Sequence, residues 1–168
     1  LDLHSLHQAL GPRTRLVAVT AASNALGTVP PLTEVIAAAH AVGALVYVDA
    51  VHHSAHRAIS LRATGADFIA ASAYKFFGPH TGMVVARPDH LDSVGPYKVV
   101  PAPDRGPGRW ETGTPSFESL AAVSAAIDYL AVAPTVVAVA RDLDLGVTFD
   151  DLLCPTAPSQ PELFAELS

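Results

Sequence analysis

The chain is poor in cysteine and in charged residues, and each scarcity excludes a class of protein. One cysteine in 168 residues cannot form an internal disulfide, which excludes a disulfide-stapled secreted module. Ten Lys and Arg residues against 16 Asp and Glu give a net charge of −6, which disfavours a nucleic-acid binder with a basic surface. No apolar run reaches the roughly 18–20 residues that span a bilayer, so we expect no membrane partner.

The sequence also lacks a methionine at its start. It begins at Leu1, and its only methionine is Met83. The first ten residues are too polar for a signal peptide. We therefore expect an internal piece of a longer soluble, cytoplasmic protein. Half of the residues are hydrophobic, which is enough to form a core and excludes a disordered acidic chain.

Hydrophobic periodicity predicts alternating helices and strands. Strands are predicted at 16–20, 44–49, 67–72 and 83–86, and helices at 1–10, 32–42 and 116–132. This alternation predicts an α/β fold with a mainly parallel sheet flanked by helices. The continuous apolar run at 16–20 predicts a strand buried on both faces. Residues 87–115 are predicted to form a long loop, and the pattern weakens after Ala133.

Polar side chains follow the ends of three predicted strands. Asn24 follows the first strand. Asp49 ends the second strand and His52 follows it, while Ser72 ends the third strand and is followed by Tyr74 and Lys75. Open parallel sheets bind ligands outside the carboxyl ends of their strands. The sequence therefore predicts that these side chains face one crevice.

Each of these residues also has a purely structural explanation. Asp49 can cap the following segment, Asn24 can serve as a turn residue, and Ser72 can bond to nearby backbone. Lys75 can be an ordinary surface ammonium. However, apolar residues flank Lys75, and a lysine withdrawn from water can have a depressed pKa and act as a nucleophilic amine.

Four segments, SNALGT, VYVDAVHH, SAYKFFGPHTG and GRWETGTP, resemble the class V aminotransferase family in their order and spacing. More narrowly, they are similar to its cysteine-desulfurase-like branch, whose members use pyridoxal 5′-phosphate (PLP). The resemblance implies an incomplete large domain of the PLP-dependent transferase fold type I at residues 1–133, with residues 134–168 as a divergent, unassigned tail. It also implies an amino-acid substrate and a homodimer with a shared active site.

The resemblance implies a role for the residues nearest the cofactor ring. Lys75 matches the lysine that forms the Schiff base with PLP. Asp49 matches the carboxylate that pairs with the pyridinium nitrogen. His52 and Asn24 match positions that lie near the ring and its 3′-oxygen.

The resemblance also implies a phosphate-binding set. Ser72 matches a phosphate-binding hydroxyl, and Tyr74 stands where many desulfurases have histidine. Thr114 matches a threonine that reaches the PLP phosphate of the neighbouring subunit. Arg109 lies beside that motif and receives no role.

The chain departs from the family in the parts that choose the substrate. The family's upstream portion and its C-terminal small domain have no counterpart in these residues. Desulfurases use a persulfide-forming cysteine in that small domain, and Cys154 lies too near Lys75 to match it. We interpret Cys154 as structural or incidental. The reaction therefore stays open among desulfuration, transamination and elimination.

Two alternatives to a complete PLP enzyme remain. Asp49, His52, His53 and His56 form a D-x-x-H-H-x-x-H string. His52 and His56 would share one face of a helix, as ligand pairs in zinc hydrolases do, but no glutamate stands between them as a general base. The other alternative is a catalytically incomplete PLP-fold fragment or dimerisation remnant.

Overall fold

A computed structural model describes residues 1–111 and 113–142. The helices are α1 Leu3–Ala9, α2 Leu32–Ala41, α3 Leu61–Thr64, α4 Pro88–Ser93 and α5 Phe117–Asp142. The strands are β1 Leu16–Thr20, β2 Leu45–Asp49, β3 Phe68–Ser72 and β4 Gly82–Ala86. Cys154 and most of the predicted tail lie outside the described residues.

The strands form a mixed, mainly parallel sheet in the order β1-β2-β3-β4. The first three are parallel, with α2 and α3 in the crossovers, and β4 runs antiparallel to β3. Segment 73–81 joins β3 to β4 and is shorter than the roughly dozen residues that a parallel crossover needs. The predicted α/β class is therefore confirmed, and the direction of β4 follows from its short connection.

The main core lies between α2 and the centre of the sheet. Ile36 and Ala39 of α2 pack against Val46 and Val48 of β2 and Ile69 of β3. These side chains are at most 4% exposed. Burying a Val or Ile side chain of this kind contributes about 1.5–3 kcal/mol, so this layer holds the strands in register.

The prediction that β1 is buried on both faces is wrong for the described residues. Leu16 is 53% exposed, whereas Val17 and Val19 are partly buried against the main core. Alternate side chains of a strand point to opposite faces. Only one face of β1 is covered by α2, and β1 lies at the edge of the described sheet. An apolar run shows that both faces can be buried, but it cannot show what covers them.

The predicted loop at 87–115 contains two short helical segments. Helix α4 begins at Pro88, directly after the extended residue Arg87, and a 3₁₀ turn spans Pro107–Arg109. Proline fits the first turn of a helix because the N–H it lacks would have no partner there. Segments this short carry too few turns for a hydrophobic period, so periodicity missed them.

Helix α5 begins close to the predicted position and continues to Asp142, beyond the predicted end at 132. Its inward residue Ala126 packs against Ala73 and Phe76, in a second core cluster separate from the main one. Among the helices of the described part, none is long and apolar enough to cross a membrane.

Candidate functional site

The carboxyl ends of β1 and β2 lie side by side and open into a cleft. Thr20 and Asp49 are register partners at the last position of each strand. The cleft has a volume of about 200 Å³. Its lining residues are Thr20, Ala22, Asn24, Asp49, Val51, His52, Tyr74 and Lys75. The structure thus brings together five of the seven residues predicted from the sequence.

Backbone contacts fix the position of Asp49 in the lining of this cleft. Its Oδ1 accepts a hydrogen bond from the Val51 amide at 2.9 Å. Its carbonyl accepts one from the Ala21 amide at 2.7 Å, and a longer one from Thr20 Oγ1 at 3.5 Å. Asp49 therefore does cap the segment that follows β2, through its Oδ1 atom. Within the described residues Oδ2 has no protein donor, which leaves it able to bind a ligand.

Asn24 is presented by a tight loop that Ser23 organises. The Ser23 hydroxyl accepts hydrogen bonds from the amides of Ala25 at 3.3 Å and Leu26 at 3.1 Å. The Ser23 carbonyl accepts one from the Gly27 amide at 2.9 Å, and Gly27 has a φ of 67°. Glycine adopts this left-handed conformation without the steric cost of a Cβ. Because Ser23 closes the turn, the Asn24 side chain is not needed for it.

Lys75 lies on a 3₁₀ turn, Ala73–Phe76, that directly follows β3. Both Phe77 and Gly78 donate their amides to the Ala73 carbonyl, the latter at 2.8 Å. Phe77 adopts a left-handed conformation with a φ of 67°. The turn places Phe76 in the core against α5, with 6% of its surface exposed, while Lys75 points into the open cleft.

The expectation that Lys75 is withdrawn from water is therefore wrong. The residue is exposed, because the 3₁₀ turn separates its side chain from that of Phe76. Its Nζ lies 5.1 Å from the ring centroid of Tyr74. The Tyr74 ring is in turn stacked on His80, with centroids 5.0 Å apart and planes 7° apart. The Lys75 amine therefore lies beside an aromatic ring and is open to solvent; it does not lie in an apolar pocket.

The histidines that follow Asp49 do not form a metal site. The rings of His52 and His56 meet edge to face with centroids 4.9 Å apart, so the two residues do share a face. In residues 1–111 and 113–142, no group of three His, Cys, Asp or Glu side chains could hold a metal ion. His53 Nδ1 is buried without a hydrogen-bond partner, and burial lowers the pKa of His53, helped by the charge of Arg57.

Three residues of the predicted motifs, Ser72, Thr114 and Arg109, do not line the cleft. Ser72 is half-buried at the end of β3, and its side chain does not cap the following turn. Thr114 is exposed in the segment before α5. Arg109 organises its own loop, since its Nη2 donates to the Val94 carbonyl at 2.8 Å and its Nη1 to the Asp104 carbonyl at 3.3 Å.

Sequence reasoning missed Thr20 as a cleft residue and His80 as the partner of Tyr74. Thr20 is the last residue of a predicted strand, and the same strand-end argument that selected Asp49 could have found it. His80 carries no such signal, because its contact with Tyr74 depends on how segment 73–81 folds back.

A sequence model of the family described as aminotransferase class-V matches residues 1–141. The chain belongs to the class V aminotransferase family. A probable cysteine desulfurase of Xylella fastidiosa is 35% identical over 142 residues, covering 77% of this chain and 34% of that protein. A cysteine desulfurase of Dickeya dadantii is 38% identical over 143 residues, covering 77% and 35%.

The fold of this class V family member agrees with solved structures. The crystal structure of an Escherichia coli cysteine desulfurase superposes with a TM-score of 0.73 at 24% identity, covering 87% of this chain and 42% of that one. At this identity the likeness concerns the fold alone. The chain spans about a third of the length of the two curated relatives.

The chemistry of the cleft fits PLP, the cofactor generally used in the class V family. Asp49 offers a carboxylate for a pyridinium nitrogen, and Lys75 offers an amine for an aldehyde. Asn24 and His52 offer hydrogen bonds for a ring oxygen. The volume of about 200 Å³ is below the roughly 300–1,000 Å³ of most ligand pockets. The cleft between the described residues is therefore smaller than most complete ligand pockets.

Proposed function

We propose that this chain provides the lysine-bearing portion of a PLP-dependent enzyme of the cysteine-desulfurase-like group, which acts on an amino acid. The observation that carries the proposal is the cleft in which Asp49 and Lys75 meet, at the carboxyl ends of the parallel strands. A carboxylate and an amine in one ligand-binding crevice match the two groups that PLP chemistry requires from a protein.

When bound, PLP supplies an electron sink for carbanion chemistry. The Asp49 carboxylate holds a proton at the pyridinium nitrogen, because a neighbouring opposite charge favours the protonated form. Lys75 Nζ would hold the cofactor through its amine. With the cofactor bound, the same Nζ would take a proton from the substrate α-carbon as a general base.

The other predicted residues would orient the cofactor, and of these only Asn24, His52 and Tyr74 line the cleft. Asn24 and His52 donate hydrogen bonds near the ring oxygen. Ser72 and Tyr74 offer hydroxyl groups to the phosphate, which as a dianion needs several donors. In this proposal Thr114 completes the phosphate site of a neighbouring subunit in a cytoplasmic homodimer. Sedimentation equilibrium of the purified chain tests the dimer directly, and a monomer at all concentrations contradicts it.

The absorption spectrum with added PLP tests the proposal. The chain has two lysines, Lys75 and Lys98. We expect the visible band of PLP bound to a lysine in the unsubstituted protein and in Lys98→Ala, and its loss in Lys75→Ala. Lys98 is a matched control because its Nζ pairs with Asp104 at 2.9 Å, away from the cleft. An equal band in Lys75→Ala contradicts the assignment.

The reaction itself is tested after the band is established. Incubation with cysteine and a sulfide assay test desulfuration, and a 2-oxo acid acceptor tests transamination. Because Cys154 does not match the persulfide-forming cysteine of the family, we expect Cys154→Ser to leave sulfide release unchanged, and loss of sulfide release in this variant would contradict that interpretation.

A catalytically incomplete PLP-fold remnant is the second candidate. The observation in its favour is that Ser72 does not line the cleft, which leaves the phosphate side without this donor. In that case the chain associates with a partner subunit, and no PLP band appears. The same spectrum therefore separates the two candidates.

A further inference from the structure

We propose that His80 is a positioning residue for Lys75, and that it acts through the ring of Tyr74. This inference rests on the proposed function, because it concerns the lysine that would bind the cofactor. It gives the aromatic ring of Tyr74 a role in addition to the one proposed for its hydroxyl group.

Two distances define the arrangement. Lys75 Nζ lies 5.1 Å from the Tyr74 centroid, within the roughly 6 Å over which an ammonium is attracted to an aromatic ring. The Tyr74 and His80 rings are 5.0 Å apart and nearly parallel, which is the offset-stacked geometry that aromatic pairs favour. His80 thus holds the Tyr74 ring in place, and that ring in turn holds the Lys75 amine.

Backbone hydrogen bonds fix the position of His80. The Ala73 amide donates to the Thr81 carbonyl at 2.9 Å, and the Thr81 amide donates to the Pro79 carbonyl at 2.7 Å. The Ala73 carbonyl accepts from the Gly78 amide at 2.8 Å. Both backbone groups of Ala73 therefore close the segment onto itself, and this closure returns His80 to the side of Tyr74.

The restraint matters because a lysine side chain is long and flexible. Nζ must stand near one atom of a bound ligand in order to react. If the folded protein already holds Nζ there, less orientational freedom is lost when the ligand binds. Tyr74 lines the cleft together with Lys75, whereas His80 does not. His80 can therefore be substituted without changing the cleft wall.

Chemical labelling in the absence of PLP measures this restraint. The rate of acetylation of Lys75 is compared with that of Lys98, the internal reference in the same sample, by peptide mass spectrometry. Tyr74, Lys75 and His80 are all exposed, so substitutions at these positions leave the core intact. Thermal melting of each variant checks that it is folded.

We expect His80→Ala and Tyr74→Ala to raise the Lys75-to-Lys98 rate ratio about two- to fivefold, because the amine is released from the ring. His80→Phe and Tyr74→Phe retain the rings and should keep the ratio of the unsubstituted protein. An unchanged ratio in His80→Ala overturns the inference, as does an equal rise in His80→Phe.

The outcome is independent of the PLP spectrum. If the unsubstituted protein forms no visible band but the ratio changes as expected, the proposed function fails and the positioning role stands. If the band forms while His80→Ala labels like the unsubstituted protein, the positioning role fails and the proposed function stands.

Discussion

His90 donates a hydrogen bond from Nε2 to Asp67 Oδ1 at 2.7 Å, at the end of the parallel strands opposite the cleft. The other oxygen, Oδ2, accepts from His40 Nε2 at 2.8 Å and from the Val46 amide at 2.7 Å. Asp67 is only 3% exposed and stands directly before β3. This carboxylate joins α2, β2, β3 and α4, and so holds the elements that align the strand ends of the cleft.

Asp67→Asn is expected to lower the free energy of unfolding by about 1–3 kcal/mol. The variant keeps the shape of the side chain but weakens bonds to a charged, buried acceptor, and its amide NH₂ would face one of the present donors. Urea denaturation measures the change. The matched control is Asp92→Asn on the exposed part of α4, where we expect less than about 0.5 kcal/mol. Equal effects at the two positions would contradict this account.

The contribution of Asp67 is expected to depend on pH. Burial alone would raise the pKa of Asp67, but hydrogen bonds from His40, the Val46 amide and His90 outweigh it and hold the pKa below its ordinary value of 3.8. A carboxyl group with a lowered folded-state pKa contributes stability above its unfolded-state pKa and loses it as pH falls through the folded-state pKa.

We therefore expect the stability difference between the unsubstituted protein and Asp67→Asn to shrink as the pH is lowered below 3.8. The asparagine side chain does not titrate, so the change reports the Asp67 carboxyl group. Urea titrations of both proteins at several acidic pH values measure it. A difference that stays constant or grows toward low pH would show that the carboxylate charge is not what stabilises this contact.

Gly78→Ala is expected to disturb the turn that carries Lys75. A Cβ at this position would lie 2.7 Å from Ala73 Cβ and 3.0 Å from the Ala73 carbonyl oxygen. Overpacking of this kind costs about 1–3 kcal/mol, because buried Ala73 has no room to move away. Gly95→Ala is the control, since a Cβ there meets nothing within 4 Å. Denaturation measures both, and a Gly78→Ala protein as stable as the control would contradict the close approach.

Asp49→Asn is expected to weaken PLP binding about tenfold without unfolding the protein. The amide oxygen of Asn can still accept from the Val51 amide, so the local cap survives while the negative charge is lost. A titration followed by absorbance measures the affinity. Asp128→Asn, on the exposed surface of α5, should bind as the unsubstituted protein does. If both variants bind equally well, the carboxylate does not pair with the cofactor.

Local sequence patterns determined much of the fold and of the candidate site. The strand predicted at residues 16–20 has the bounds that the structure gives, because an apolar run of five residues with two valines is short for a helix and favours a strand. The sequence indicates Asp49 and Lys75 because the first ends a predicted strand and the second follows one, and parallel strands bring such positions to one end of the sheet. Both inferences use only residues that are adjacent in the sequence and the direction of the predicted strands.

Only the tertiary structure decided the contacts between distant segments. Asp67 is 27 residues from His40 and 23 from His90, and no period in the sequence links them. Leu16 is exposed because of what packs on β1, not because of its own run of residues. His80 reaches Tyr74 because the backbone of Ala73 closes segment 73–81. The sequence by itself determined which side chains stand at the strand ends. Packing decided which of them come together, because a contact between residues distant in sequence depends on the position of every element between them.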